Sequence, residues 1–195
     1  GLLVLILLGA EGVSDVTVVG GRPQRLAVAR GLGARHTVNH HEATDSSAAA
    51  LASQLRRPGS PAPGYANVIE ASGSASALGA AFALGAPGAH LLLLGDYEGL
   101  SAPVPWQRWL HQEYEVMTSN ASAGAWPEAV RLAAELAGVL APLVTHTVPI
   151  EEVARGMELI RVRDGGVIRV LIEVPKKLTK RQKELLDEFQ KLSEA

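Results

Sequence analysis

The chain has 195 residues, 47% of them hydrophobic and 19% charged, a balance that fits a packed interior and excludes general disorder. A net charge of -2 with 4% aromatics excludes a nucleic-acid binder held by bulk electrostatics and leaves few platforms for stacking bases. With no cysteine, disulfides, cysteine nucleophiles and cysteine-ligated zinc are excluded from this chain.

The opening run Gly1-Leu2-Leu3-Val4-Leu5-Ile6-Leu7-Leu8 lacks a basic leader and is too short to span a bilayer. Gly9-Ala10-Glu11-Gly12 stops it as a helix terminus does. It reads as a buried helix whose upstream chain is missing, and a cytoplasmic location with no membrane contact is the expectation. Val16 to Val19 reads as a fully buried strand, bounded by Gly20-Gly21. Pro23 to Leu32 is a helix, with proline near its start and Gly33 past its end. His36 to Asn39 is a weaker strand. Ser47 to Arg56 reads as an alanine-rich helix and Arg57 to Gly64 as a surface loop.

Asn67 to Ala71 is a strand ending at Ser72-Gly73, and Ala75 to Leu84 a helix. Ala89 to Leu94 is a strand of aliphatic residues closed by Gly95. A short helix over Pro105 to Gln112 precedes a strand over Tyr114 to Thr118. Ala125 to Ala137 reads as an amphipathic helix with Val130, Ala133, Ala134 and Leu136 on its apolar side. Val144 to Val148 is extended, Ile150 to Val162 helical, and Val167 to Val174 a last strand. Aliphatic strands alternating with helices predict a parallel sheet covered on both faces, an α/β doubly wound fold.

The tail from Pro175 to Ala195 is different, with 6 basic against 4 acidic residues. Thr179 and Gln182 have the spacing of a capping box. Leu185, Leu186, Phe189 and Leu192 then form an apolar stripe on a charged helix, which needs a surface to pack on. That surface is either the chain's own domain or a partner, including a second copy in a homodimer.

Open parallel sheets bind ligands beyond the carboxyl ends of their strands. Here those ends read Gly20-Gly21-Arg22, Ser72-Gly73, Gly95-Asp96 and Thr118-Ser119, small residues that let a ligand approach the backbone. The six histidines, His36, His40, His41, His90, His111 and His146, offer no set with metal-ligand spacing. His40-His41 is adjacent in a loop with no third ligand following.

Gly1-Leu2-Leu3, Val16 to Ala34 (VTVVGGRPQRLAVARGLGA), Val68 to Gly73 (VIEASG), Leu143 to Pro149 (LVTHTVP) and Val167 to Glu173 (VIRVLIE) occur in a telling order. Over residues 1–174 the chain resembles the cofactor-binding, Rossmann-like half of medium-chain, zinc-type alcohol, sorbitol and threonine dehydrogenases. The resemblance implies a GxGxxG turn whose last glycine is Gly1, with the pyrophosphate resting on the helix N-terminus. The first two glycines and the central first strand would lie outside the chain, leaving the flanking strands without their partner. At the end of the second strand an acidic residue normally binds the ribose of NAD. Gly20 holds that position, followed by Arg22 and Arg25, which favours NADP over NAD.

The resemblance further implies that Arg169 reaches the cofactor phosphates, and that Gly95 and Ser119 line the nicotinamide side. Ser72 and Gly73 complete the expected cofactor-binding set. His146 falls in a segment that in the intact enzyme returns toward the other domain. Zinc, held by cysteine, histidine and an acidic residue, belongs to that other, N-terminal domain, so no catalytic or metal residue is expected here. In the intact enzyme hydride would pass between a small-molecule alcohol or ketone and nicotinamide. The tail over residues 174–189 resembles the C-terminal end of the J-domain co-chaperones, where such a helix helps dimerise the protein. Part of a dehydrogenase, a nucleotide-binding module without chemistry, and a dimerisation segment remain open alternatives.

Overall fold

The computed structural model describes residues 1–42, 50, 55, 64–97, 99, 103–120, 122, 124–162, 166–173, 179–181, 183 and 184. Apart from Ala50, Leu55 and Gly64, the expected helix over Ser47 to Arg56 and the loop over Arg57 to Gly64 lie outside the described residues, as does most of the tail. The chain forms two compact units, Gly1–Leu140 and Ala141–Ala195.

The first unit starts with helix α1, Leu2–Ala10. Strand β1, Thr17–Gly20, pairs in parallel with β2, His36–Asn39, and helix α2, Pro23–Gly31, connects them and packs on both. A second sheet holds β3, Tyr65–Glu70, β4, Gly85–Leu93, and β5, Glu115–Thr118, all parallel with β4 in the middle. Helix α3, Ala75–Leu84, links β3 to β4, and α4, Trp106–Gln112, links β4 to β5. Helices α5, Trp126–Glu135, and α6, Ala137–Leu140, end the unit. Parallel strands with helical crossovers make this an α/β fold, as the alternating pattern predicts.

The core lies on β4. Leu78, Phe82, Ala89, Leu91 and Tyr114 pack together there, and Ala89 and Leu91 are fully buried. The end of α3 is closed by side chains rather than by a glycine turn. The Tyr114 hydroxyl donates to the carbonyls of Phe82 (3.0 Å) and Gly85 (2.8 Å), and Arg108 donates to those of Phe82 (2.8 Å) and Ala83 (3.0 Å). Terminal carbonyls that no helical amide reaches are thereby satisfied.

Three expectations about burial change. β1 is half-buried rather than fully buried, with Val19 37% exposed. Among the described residues it has one neighbour, β2, and no hydrogen-bonded ladder joins it to β3. The Tyr65 hydroxyl of β3 donates to Thr17 Oγ1 of β1 at 3.3 Å, a side-chain link in place of a strand pair. In α1 only Leu5 and Ile6 are buried, because the helix packs against α2 and α6 along one side. The amphipathic period of α5 is real, but Val130, Ala133 and Ala134 are exposed, with Leu132 and Leu136 half-buried.

In the second unit β6, Val144–Pro149, pairs in parallel with β7, Arg169–Glu173. A single turn over Ile150–Glu152 leads into α7, Val153–Val162, which covers one face of the pair. Gly156 makes that approach possible, since a Cβ there would press on Val148 and Val170. The Thr179 carbonyl accepts from the Lys183 amide at 3.1 Å, and Lys180, Arg181, Lys183 and Glu184 are helical.

Candidate functional site

Parallel pairing puts the carboxyl ends of β3, β4 and β5 in one row. Glu70 stands beside Leu93, and Leu93 beside Thr118. The row continues past the strands, where the Leu94 amide donates to the Glu70 carbonyl (2.8 Å) and the Ser119 amide to the Leu93 carbonyl (3.2 Å). Ser72-Gly73, Gly95 and Ser119 therefore share one edge of one sheet, as their positions at strand ends predict.

Two of these turns are in backbone contact. Gly73 has a φ of +71°, a region costly for any residue with a Cβ. A Cβ there would overlap the Asp96 carbonyl, and a Cβ on Gly95 would overlap Glu70 Oε2 and the Gly73 backbone. Their smallness thus serves contact between two loops.

Glu70 is the buried charged residue of this edge, 5% exposed, and sequence reasoning did not single it out. Its Oε1 accepts from the Ser72 amide (2.7 Å) and hydroxyl (2.5 Å). Its Oε2 accepts from the Gly73 amide (3.3 Å) and the Tyr97 hydroxyl (2.6 Å). Burial pushes the Glu70 carboxyl up, and the four hydrogen bonds together outweigh it, holding the group below the usual carboxylate range. Burial, then the neighbouring carboxylate, push the Tyr97 hydroxyl above the ordinary phenol range, so it stays a donor. The signal available in the sequence was an acidic residue directly after the apolar pair Val68-Ile69 at a strand end.

The other half of the expected set lies on α1 and the β1–α2 turn. Gly1 is the N-cap of α1, and the helix has neither a side-chain cap nor an acidic residue in its first turn. The first amides of any helix have no partner within the helix. Gly1 itself has open space where a Cβ would stand. Gly20 ends β1, and Arg22 is the half-buried, extended N-cap of α2, with Pro23 at the first helical position. Arg25 follows one turn on, also half-buried.

Two more side chains stand at that turn. The His40 amide donates to the Gly20 carbonyl (3.1 Å), and the imidazoles of His40 and His41, 4.1 Å apart, crowd the position where Gly21 would carry a Cβ. Beside them Glu42 accepts from Asn39 at 2.8 Å.

Arg169 is exposed on β7 of the second unit, where its carbonyl accepts from Thr145. His146 of the same unit is half-buried, its ring against the Thr145 hydroxyl at 3.0 Å. Among the described residues no three histidine, aspartate or glutamate side chains gather to hold a metal. The chain has no cysteine, so the described residues do not fit a zinc site. Among them, no helix is long and apolar enough to cross a membrane.

Comparison with solved structures shows a shared fold. A short chain alcohol dehydrogenase from Escherichia coli CFT073, complexed with NADH, superposes with a TM-score of 0.71 at 22% identity, over 88% of this chain and 48% of that one. The alcohol dehydrogenase TADH from Thermus sp. ATN1 gives 0.71 at 26% identity, over 89% and 48%. A zinc-binding dehydrogenase from Sinorhizobium meliloti 1021, bound to NADP, gives 0.74 at 20% identity, over 89% and 49%. The chain thus spans about half the length of the structures it matches. No curated protein sequence matches it. A family model described as zinc-binding dehydrogenase covers residues 1–135, the stretch that holds α1, the β1–α2 turn and the three-strand edge. By that match the chain belongs to the zinc-binding dehydrogenase family.

Proposed function

We propose that this chain is the nicotinamide-dinucleotide-binding portion of an alcohol or polyol dehydrogenase. The observation that carries the reading is a unit that holds both the start of α1, which has no side-chain cap, and a carboxyl sheet edge with Ser72, Gly73, Gly95 and Ser119. The first suits a pyrophosphate, because the dipole at a helix start favours an anion. The second suits the nicotinamide end, because open parallel sheets take ligands beyond the carboxyl ends of their strands.

Nicotinamide, when bound, supplies the hydride acceptor or donor. In the complete enzyme the second reactant would be a secondary alcohol or its ketone. The residues of this chain bind and orient the cofactor, and no step of the chemistry is assigned to them. NADP is the proposed preference over NAD. Gly20 leaves room where a carboxylate would repel a 2′-phosphate, Arg22 and Arg25 supply guanidinium groups, and the imidazoles of His40 and His41 stand against Gly21. The reach of Arg169 to the cofactor phosphates is supported by the family resemblance alone.

Titration of the chain with NADPH and with NADH, followed by nicotinamide fluorescence, tests this. Saturable binding of both, tighter for NADPH, is expected, and binding of neither overturns the reading. For the tail, residues 175–195, we propose that its apolar stripe pairs two copies of the chain.

A further inference from the structure

We propose that Glu70 is a positioning residue for the nicotinamide end of the cofactor, acting through the Ser72–Gly73 turn and through Tyr97. The inference rests on the dinucleotide-binding reading above, and it assigns to one buried carboxylate the placement of the two loops that would meet nicotinamide.

A carboxylate is an expensive residue to bury at the end of an apolar strand. Its desolvation is offset only when its oxygens are fully hydrogen-bonded. A residue serving packing alone would be apolar here, as Val68 and Ile69 are just before it. Glu70 instead collects donors from two separate loops. Three come from the Ser72–Gly73 turn after β3, and the fourth from Tyr97 after β4. The carboxylate therefore ties both loops to one point, where Gly73 meets the Asp96 backbone and Gly95 meets Glu70 itself. A shift of the carboxylate would move both turns together.

The same bonds decide what this edge can bind. The amides of successive turn residues make a concavity that attracts anions. At Ser72 and Gly73 the protein's own carboxylate already fills it. A cofactor phosphate gains nothing at this turn and meets a buried negative charge behind it. The phosphates are thereby directed to the start of α1, and the turn is left to the uncharged part of the ligand. Glu70 touches no part of the cofactor in this account.

The test uses the chain with Glu70→Gln and, separately, Tyr97→Phe, titrated with NADPH, NADH and adenosine 2′,5′-bisphosphate. The last probe carries the adenosine half and its phosphate but no nicotinamide. A glutamine keeps the size but turns a donor toward the Gly73 amide or the Tyr97 hydroxyl. Loss of a charge-assisted bond of this kind predicts about tenfold weaker binding of NADPH and NADH. Tyr97→Phe, which leaves the three turn bonds in place, predicts a smaller loss of about threefold. The bisphosphate should bind within about twofold of the unsubstituted chain, because distant sites behave independently. Fluorescence of the nicotinamide at full occupancy should fall in both variants.

Equal weakening of all three ligands would show a role in stability alone and overturn the proposal. So would unchanged binding of all three by both variants. Should Glu70→Gln fail to fold, Tyr97→Phe gives the decisive reading. Failure of the unsubstituted chain to bind either dinucleotide overturns the functional reading and this proposal with it. Binding by that chain with unaltered variants overturns this proposal only.

Discussion

The β1–β2 and β3–β4–β5 sheets are both parallel, yet they hold their ends in different ways. β4 has a parallel neighbour on each side and helices α3 and α4 against it, so Ala89 and Leu91 lose all contact with water. β1 and β2 contain no buried residue. A strand with two neighbours and a cover fixes its backbone through its own packing. Its end can then carry a costly group such as Glu70, whose bonds depend on geometry held to tenths of an ångström. A strand with one described neighbour has less to offer, and in the function proposed above discrimination there would fall to side chains beyond it, Arg22 above all.

The strongest way to break this comparison is to cut the core of each sheet. Phe82 is 2% exposed and packs its ring 5.9 Å from Trp109 and 6.1 Å from Tyr114. Phe82→Ala is expected to cost about 3–5 kcal/mol in denaturant unfolding, because the cavity collapses only in part. Val19→Ala, at a site already 37% exposed, is expected to cost less than about 1 kcal/mol. Similar losses at both sites would mean that the two sheets are equally packed.

Acid titration gives the next largest effect. The Glu70 carboxyl is held below its ordinary range in the folded chain. Its hydrogen-bonded stabilisation is therefore complete above the unfolded value of about 4.3 and is lost as pH falls through the lower folded value. Glu70→Gln should reduce stability by about 2 kcal/mol at neutral pH, and the gap should close as pH falls through that lower folded value. A constant gap at every pH would mean that the charge contributes nothing beyond shape.

Arg22→Ala then sharpens the other half of the comparison. A guanidinium paired with a 2′-phosphate predicts about tenfold weaker binding of NADPH, with NADH changed by less than about twofold. Parallel loss of both would place Arg22 on a part that the two cofactors share.

Much of this was legible in the residues. α3 runs from Ala75 to Leu84 and β2 from His36 to Asn39, as expected, because turn residues bound both. The strand ends were legible for the same reason, so Ser72, Gly73, Gly95 and Ser119 could be named in advance. Burial was not legible. Val16 to Val19 has the composition of a covered strand, and composition does not report how many neighbours a strand has. α5 shows the same limit, since Trp126 and Val130 are 67% and 65% exposed on a helix whose period is correct. Glu70 was missed because its meaning comes from Tyr97, 27 positions away, and no local pattern links the two.

The smallest effect on either sheet should come from the tail. Lys180, Arg181, Lys183 and Glu184 are helical and exposed, and Arg181 and Glu184 pair loosely at 3.5 Å. An exposed pair of this kind adds little stability, so the tail's contribution depends on what the apolar residues Leu185, Leu186, Phe189 and Leu192 would pack on. If two copies cover each other, removing residues 175–195 should halve the mass in solution while NADPH and NADH affinities stay within about twofold. If the stripe is covered by the chain itself, removal should leave the mass unchanged and lower the unfolding midpoint instead. Apolar side chains stripped of their cover lose about 25 cal/mol for each Å² exposed. The two outcomes separate cleanly, because self-association depends on protein concentration and packing within one chain does not.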